Sequence, residues 1–182
     1  GLLHRARYRR AGATSGMNTA QAFAPGKLIV VGEHAVVYGH PALAIAVDRG
    51  TTVHLERRHG PTALESAAPD DPRLMQGLSA ILPSTGIGVH LRSDLPIGRG
   101  MGSSAALAVA LSRAYCALEQ CPATPERIDA MAMTVERVFH GNPSGIDHTV
   151  SATGGAVTFR RTDEGPCFAS VQFPDLPLVV ID

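Results

Sequence analysis

Apolar and polar residues alternate over much of the first third of the chain, and this period of two predicts half-buried strands. KLIVVGEHAVVYG carries two short β-branched runs around Gly32–His34, and TTVHLER sets Val53 and Leu55 between polar neighbours. Residues 22–57 therefore read as a strand meander. Pro, Ala and charge dominate 58–71, which reads as a loop ahead of a short helix over 73–82. Alternation returns in GIGVHLRSDLP, with Ile87, Val89 and Leu91 on one face. From Ser104 to Glu119 nearly every residue is small or apolar, which suits a helix packed on a sheet. The next helix opens with Thr124 as cap and Pro125 at its first position. Its buried stripe is Ile128, Met131, Val135 and Val138, and it stops at Gly141 in a left-handed cap. NPSGIDHTVSATGGAVTF reads as a loop and then a strand ending near Arg160, and LPLVVID as a buried strand with no element after it.

Between the Ile87–Leu91 strand and the first long helix lies PIGRGMGSSAALAVAL. Gly98, Gly100 and Gly102 permit a tight turn and close backbone approach, and Ser103 or Ser104 can start the helix, Ser103 being favoured as its cap. The first amides of a helix lack partners and sit at the positive end of its dipole, so this stretch is a candidate phosphate cradle. A dinucleotide fingerprint requires GxGxxG, whereas GRGMGS has Ser103 in the third glycine's place, and Glu119 would lie in the helix rather than at a strand end. GxxxxGK[ST] and the HRD and DFG elements of protein kinases do not occur.

Composition narrows the partners. The 182 residues are 45% hydrophobic, enough for one domain with a sizeable core. Net charge is zero, only 4% of residues are aromatic and Trp is absent, so neither nucleic acid nor a membrane surface is an expected partner. No apolar run reaches the roughly 18 residues of a spanning helix. Cys116, Cys121 and Cys167 are odd in number and lack CxxC spacing, which fits free thiols and a cytoplasmic location. Residues 1–16 carry Arg5, Arg7, Arg9 and Arg10 before any acid, a transit-peptide bias. Met17 as the natural start explains it more simply, so 1–16 is set aside as a disordered or non-native extension.

PIGRGMGSSAA is similar to the second motif of the GHMP small-molecule kinases, PxxxGLGSSAA, with Met101 replacing leucine. APGKLIVVGEHAVVYGHPALA (24–44) resembles that family's first motif, and ERVFHGNPSGIDHTVSATGG (136–155) looks like its mevalonate kinase branch. The resemblance implies an α+β fold of the ribosomal protein S5 domain 2-like type, a mixed sheet with helices on one side, over 17–182. The family's third glycine-rich motif and its carboxy-terminal domain are missing from this stretch.

The resemblance also implies roles. Asp147 takes the place of the catalytic base, with Lys27 beside it as the neighbouring cation. Pro96, Gly98, Gly100, Met101, Gly102, Ser103, Ser104 and Ala105 form the ATP loop, and Ser104 and Glu136 hold Mg²⁺. At 100° per residue Glu136 lies about 80° round from Ile128, so it flanks the buried stripe. Glu33, His34, Gly145 and Asp147 line the acceptor pocket. Leu107 stands where some mevalonate kinases have a tyrosine that contacts substrate, and Arg99 is not part of the loop motif. The implied reaction moves the ATP γ-phosphoryl group to the mevalonate 5-hydroxyl, a step toward isoprenoids. The alternatives are another kinase of the family, acting on phosphomevalonate, homoserine or galactose, or a nucleotide- or metabolite-binding domain without catalysis. An apolar surface left by the absent domain makes homodimerisation an expectation.

Overall fold

The computed structural model describes residues 4–5, 13–66, 71–96, 98–162, 165–172, 174 and 177–178. In chain order these form β1 (His4–Arg5), β2 (Ala13–Ser15), β3 (Thr19–Val31), a 3-10 turn (Ala35–Tyr38), β4 (Ala42–Pro61), β5 (Ala63–Leu64) and α1 (Pro72–Ser79). There follow β6 (Thr85–Ser93), α2 (Ser103–Leu118), α3 (Pro125–His140), α4 (Ile146–Thr153), β7 (Ala156–Thr162), β8 (Gly165–Val171) and β9 (Pro177–Leu178).

The main sheet runs β2-β3-β4-β6-β5. β4 pairs with β3 along one edge and shares its other edge between β6, opposite Thr51–Pro61, and β7, opposite Ala42–Ile45; β8 extends the sheet beyond β7. Only β5–β6 is parallel among these pairs, so the sheet is mixed. β1 pairs separately with β9. The fold is α+β, as the motifs imply.

Alternation sorts the sheet's two faces. Ala20, Ala22 and Ala24 of β3, Val53 and Leu55 of β4, and Ile87 and Val89 of β6 are buried in one cluster with residues of α1, α2 and α3. Alanine at three successive inward positions lets the helix lie close to β3, and α2 is itself rich in alanine at this contact. α3 and α4 flank α2, which explains why eleven of its sixteen residues are buried rather than one stripe.

Several boundaries differ from the sequence reading. The expected loop over 58–71 is partly strand, because β4 continues through a register shift to Pro61 and β5 then joins β6; residues 67–70 lie outside the described residues. α1 is capped by Asp71, whose side chain accepts from the Arg73 amide, and ends at Ser79 rather than Leu82. α2 starts one residue early: Gly102, in a left-handed conformation, is its cap, and Ser103 is helical and caps nothing. Thr124 does cap α3, but in the stripe Met131 and Val138 are half-buried while Ala132 and Glu136 are buried. Gly141 ends α3 at φ +66 with ψ −63, outside the left-handed helical region. The largest miss is α4, inside the segment read as a loop. Gly145 at φ +89 turns the chain and Ile146 and Val150, four residues apart, bury against the sheet. Ala13–Ser15, from the segment set aside, pairs with β3. Of LPLVVID, Pro177–Leu178 forms β9, while 176 and 179–182 lie outside the described residues.

Candidate active site

β3 carries a register shift between Pro25 and Lys27. A Cβ on Gly26 would lie 2.6 Å from Leu95 Cδ2 and 2.7 Å from the Met101 carbonyl oxygen, so only glycine lets the loop after β6 come this near. The Lys27 amide then donates to that carbonyl at 3.0 Å. Met101 also buries its side chain with Val47, Leu95 and Ala106. It therefore anchors the glycine loop to β3 and is not among the residues facing the cavity described next.

A cavity of about 520 Å³ opens beside this loop. Gly98, Gly100, Gly102, Ser103, Ser104 and Asp147 are among its lining residues. The three glycines have φ of +72, +73 and +69, which side chains disfavour, and they present backbone to the cavity. Leu91, Leu95, Leu107 and Phe139 supply its apolar lining. Arg73 and Asp71 meet at its rim in a two-point ion pair, and the Arg73 guanidinium sits 5.8 Å from the Phe139 ring centre. Pro96 is exposed and Ala105 is buried in the first turn of α2; neither lines the cavity.

Lys27 and Asp147 come together as the motifs imply. Nζ lies 3.2 Å from Oδ1, the lysine side chain 7% exposed and the aspartate 30%. α4 brings this about, since Asp147 occupies its first turn and Gly145 caps it. Ser104 and Glu136 also converge. Glu136 is 2% exposed, deeper than a residue flanking the stripe and far from a solvated helix glutamate. Burial pushes its carboxyl above the usual range; a Ser104 hydrogen bond and the nearby His140 act the other way, while Asp147 adds to the rise. Its Oε1 has no hydrogen-bond partner. A buried, unpartnered carboxylate oxygen beside a hydroxyl is a donor set that fits a hard divalent cation.

Glu33 and His34 are exposed on the turn after β3 and do not line the cavity. Two histidines that the sequence reading did not place are at the site. His140 Nε2 lies 2.9 Å from Ser104 Oγ, and its position four residues after Glu136 on α3 was the available signal. His148, 1% exposed, bonds Asp129 Oδ1 through Nε2 at 2.8 Å and ties the first turn of α4 to α3. No spacing rule announces that pair, because α4 itself was missed.

Comparison with known proteins bears on the family and the fold. The model of the GHMP kinases N terminal domain matches residues 72–155. The mevalonate kinase of Pyrococcus abyssi is 34% identical over 189 residues, covering 87% of this chain and 55% of the relative. That of Aeropyrum pernix is 32% identical, covering 90% and 57%. The crystal structure of L. major mevalonate kinase in complex with R-mevalonate superposes with a TM-score of 0.75 at 28% identity, over 88% of this chain and 53% of that one. The chain thus spans about half the length of the relatives it matches. The sheet topology, the glycine loop docked on β3, and these matches together place the chain in the GHMP kinase family, whose N-terminal domain it carries in a form most similar to that of the mevalonate kinases.

Proposed function

We propose that this chain supplies the nucleotide-binding half of an ATP-dependent kinase that phosphorylates the 5-hydroxyl of mevalonate, giving 5-phosphomevalonate. The observation that carries the reading is the Lys27–Asp147 pair beside the glycine loop, with Asp147 lining the cavity and Lys27 packed against Gly102. Phosphoryl transfer requires three things: charge neutralisation on the moving group, an aligned acceptor and a proton acceptor. The amides at the start of α2 face a phosphate, aided by the helix dipole. Asp147 Oδ1 takes the proton of the acceptor hydroxyl, and Lys27, buried against it, fixes the carboxylate and adds positive charge where negative charge develops. Ser104 and Glu136 would hold Mg²⁺, which when bound neutralises charge on the phosphates. The apolar lining suits the adenine base. Mevalonate as acceptor is supported by the similarity to mevalonate kinases and by the HGNPSGID segment.

The test is ADP release from MgATP with mevalonate, homoserine or galactose offered in turn, and Asp147→Asn as control. Mevalonate-dependent ADP that is lost in the variant supports the reading. Folded protein that turns over homoserine or galactose instead reassigns the acceptor, and ADP unaffected by Asp147→Asn removes the base.

A further inference from the structure

Helix α2 ends in a turn that carries a cysteine at each of its two ends. The Cys121 amide donates to the Cys116 carbonyl at 2.9 Å and the Gln120 amide to the Ala117 carbonyl at 3.3 Å, with Gln120 at φ +52. These are the six-to-one and five-to-two bonds of a Schellman cap, which commonly adds an apolar contact between the side chains at its two ends. In this chain both of those side chains are thiols. Cys116 is fully buried, and Cys121, half-buried, packs against the same core cluster. The 2.9 Å bond and standard backbone lengths keep the two Cα atoms within about 6.8 Å of each other, inside the span that a disulfide bridges.

The turn is held from both sides. Arg57 of β4 donates to Glu119 Oε1 at 3.1 Å, and Arg127 of α3 donates to the Pro122 carbonyl at 3.2 Å. Both cysteines are free, and the Cys116 thiol donates to Met131 Sδ at 3.9 Å. We propose that Cys116 and Cys121 are a thiol–disulfide exchange site, which closes into a reversible disulfide across the α2 cap when the protein meets a small-molecule disulfide. The half-buried Cys121 thiolate attacks first: its sulfur bonds one sulfur of the reagent, the reagent's S–S bond breaks, and one small thiolate leaves. Cys116 Sγ then bonds Cys121 Sγ, and the second small thiolate leaves. The two protein thiol protons end on the two released thiols, so two protein sulfurs are oxidised and the two of the reagent are reduced. Burial pushes the Cys116 thiol up to about 11, which makes it inert toward a reagent in solution. Cys121 carries the reacting sulfur to it, and the intramolecular geometry offsets the small thiolate fraction. Neither cysteine lines the cavity, so this site stands apart from the kinase reading.

The experiment treats the folded Cys167→Ser chain with glutathione disulfide, quenches with acid, and follows the intact mass and the tryptic peptide 114–127, which holds both cysteines and no internal cleavage site. The expected result is a transient glutathione adduct and then a species lighter than the starting protein by two hydrogens, reversed by dithiothreitol and melting no lower than the reduced protein. Cys116→Ser in the same background should stop at the adduct on Cys121, and Cys121→Ser should stay unmodified. A persistent adduct on Cys121, or no reaction in protein shown by its melt to be folded, overturns the proposal with the core cysteine left in place. A disulfide that forms only in denaturant overturns it as well, because the folded cap is then not what brings the sulfurs together. A lowered melting temperature on oxidation would show that the bridge distorts the cap, with the same consequence.

Discussion

The two sides of the site are built differently. Around the glycine loop, Lys27 and Glu136 are 6% and 2% exposed, the loop is pinned through Met101, and Asp147 is fixed by a lysine. Glu33 and His34, which the motif resemblance assigns to an acceptor pocket, stand exposed on a turn beyond the cavity lining. The contrast shows where precision comes from. Backbone contacts and burial hold the glycine-loop side in place, whereas among the described residues the Glu33–His34 turn is not packed into the cavity.

The contrast can be tested by substitutions on both sides. The largest effect is expected at Asp147, where asparagine should lower turnover by roughly 10² to 10⁴ and, by leaving the buried Lys27 ammonium without its carboxylate, also lower the melting temperature, as steady-state kinetics beside a thermal melt will show. Next is Gly26→Ala, whose new methyl meets Leu95 and the Met101 carbonyl; a loss of about 1–3 kcal/mol in denaturant titration, together with weakened nucleotide binding, is the expected outcome. Glu136→Gln should divide the two properties. Because the folded carboxyl titrates above its unfolded value, its contribution favours the folded state below the unfolded pKa and is lost as pH rises through the folded one. The glutamine variant should therefore be the more stable protein at neutral pH, lose that part of the pH dependence in melts between acid and neutral pH, and bind MgADP less tightly. The smallest effect belongs to His34→Ala, an exposed position where stability should move by no more than about 0.5 kcal/mol. A large stability loss there would mean that the Glu33–His34 turn is as firmly held as the glycine-loop side.

Legibility in the sequence followed the same division. Period-two alternation in TTVHLER and GIGVHLR gave strands that the structure contains, because one face of each is buried in the core shared with the helices. The glycine loop was legible since its chemistry is local: three positive-φ glycines and a helix start lie within seven residues. What failed was non-local. α4 was read as a loop because Gly, Pro, Ser and Thr dominate its neighbourhood, and the burial of Ile146 and Val150 with Ala42 and Ala44 of β4 depends on chain far away in sequence. Glu136 was placed at the edge of a stripe by helical geometry alone, yet α2 and α4 pack on both sides of that edge. His140 was visible only as a possible partner of Glu136, not of Ser104, 36 residues away.

The missing side-chain cap of α2 has a consequence in time rather than in space. Ser103 and Ser104 lie in the first turn, where amides have no partner within the helix, and no side chain caps it; Ala106, one turn on, donates to the Gly102 carbonyl at 2.9 Å. The two serine amides should therefore trade hydrogen for deuterium almost as fast as in an open chain, with Ala106 lagging behind as a reference within the same helix. An anion resting on that turn would slow the first two and leave the third unchanged. The uncapped helix end is thus a built-in clock, whose rate reports how long a phosphate stays.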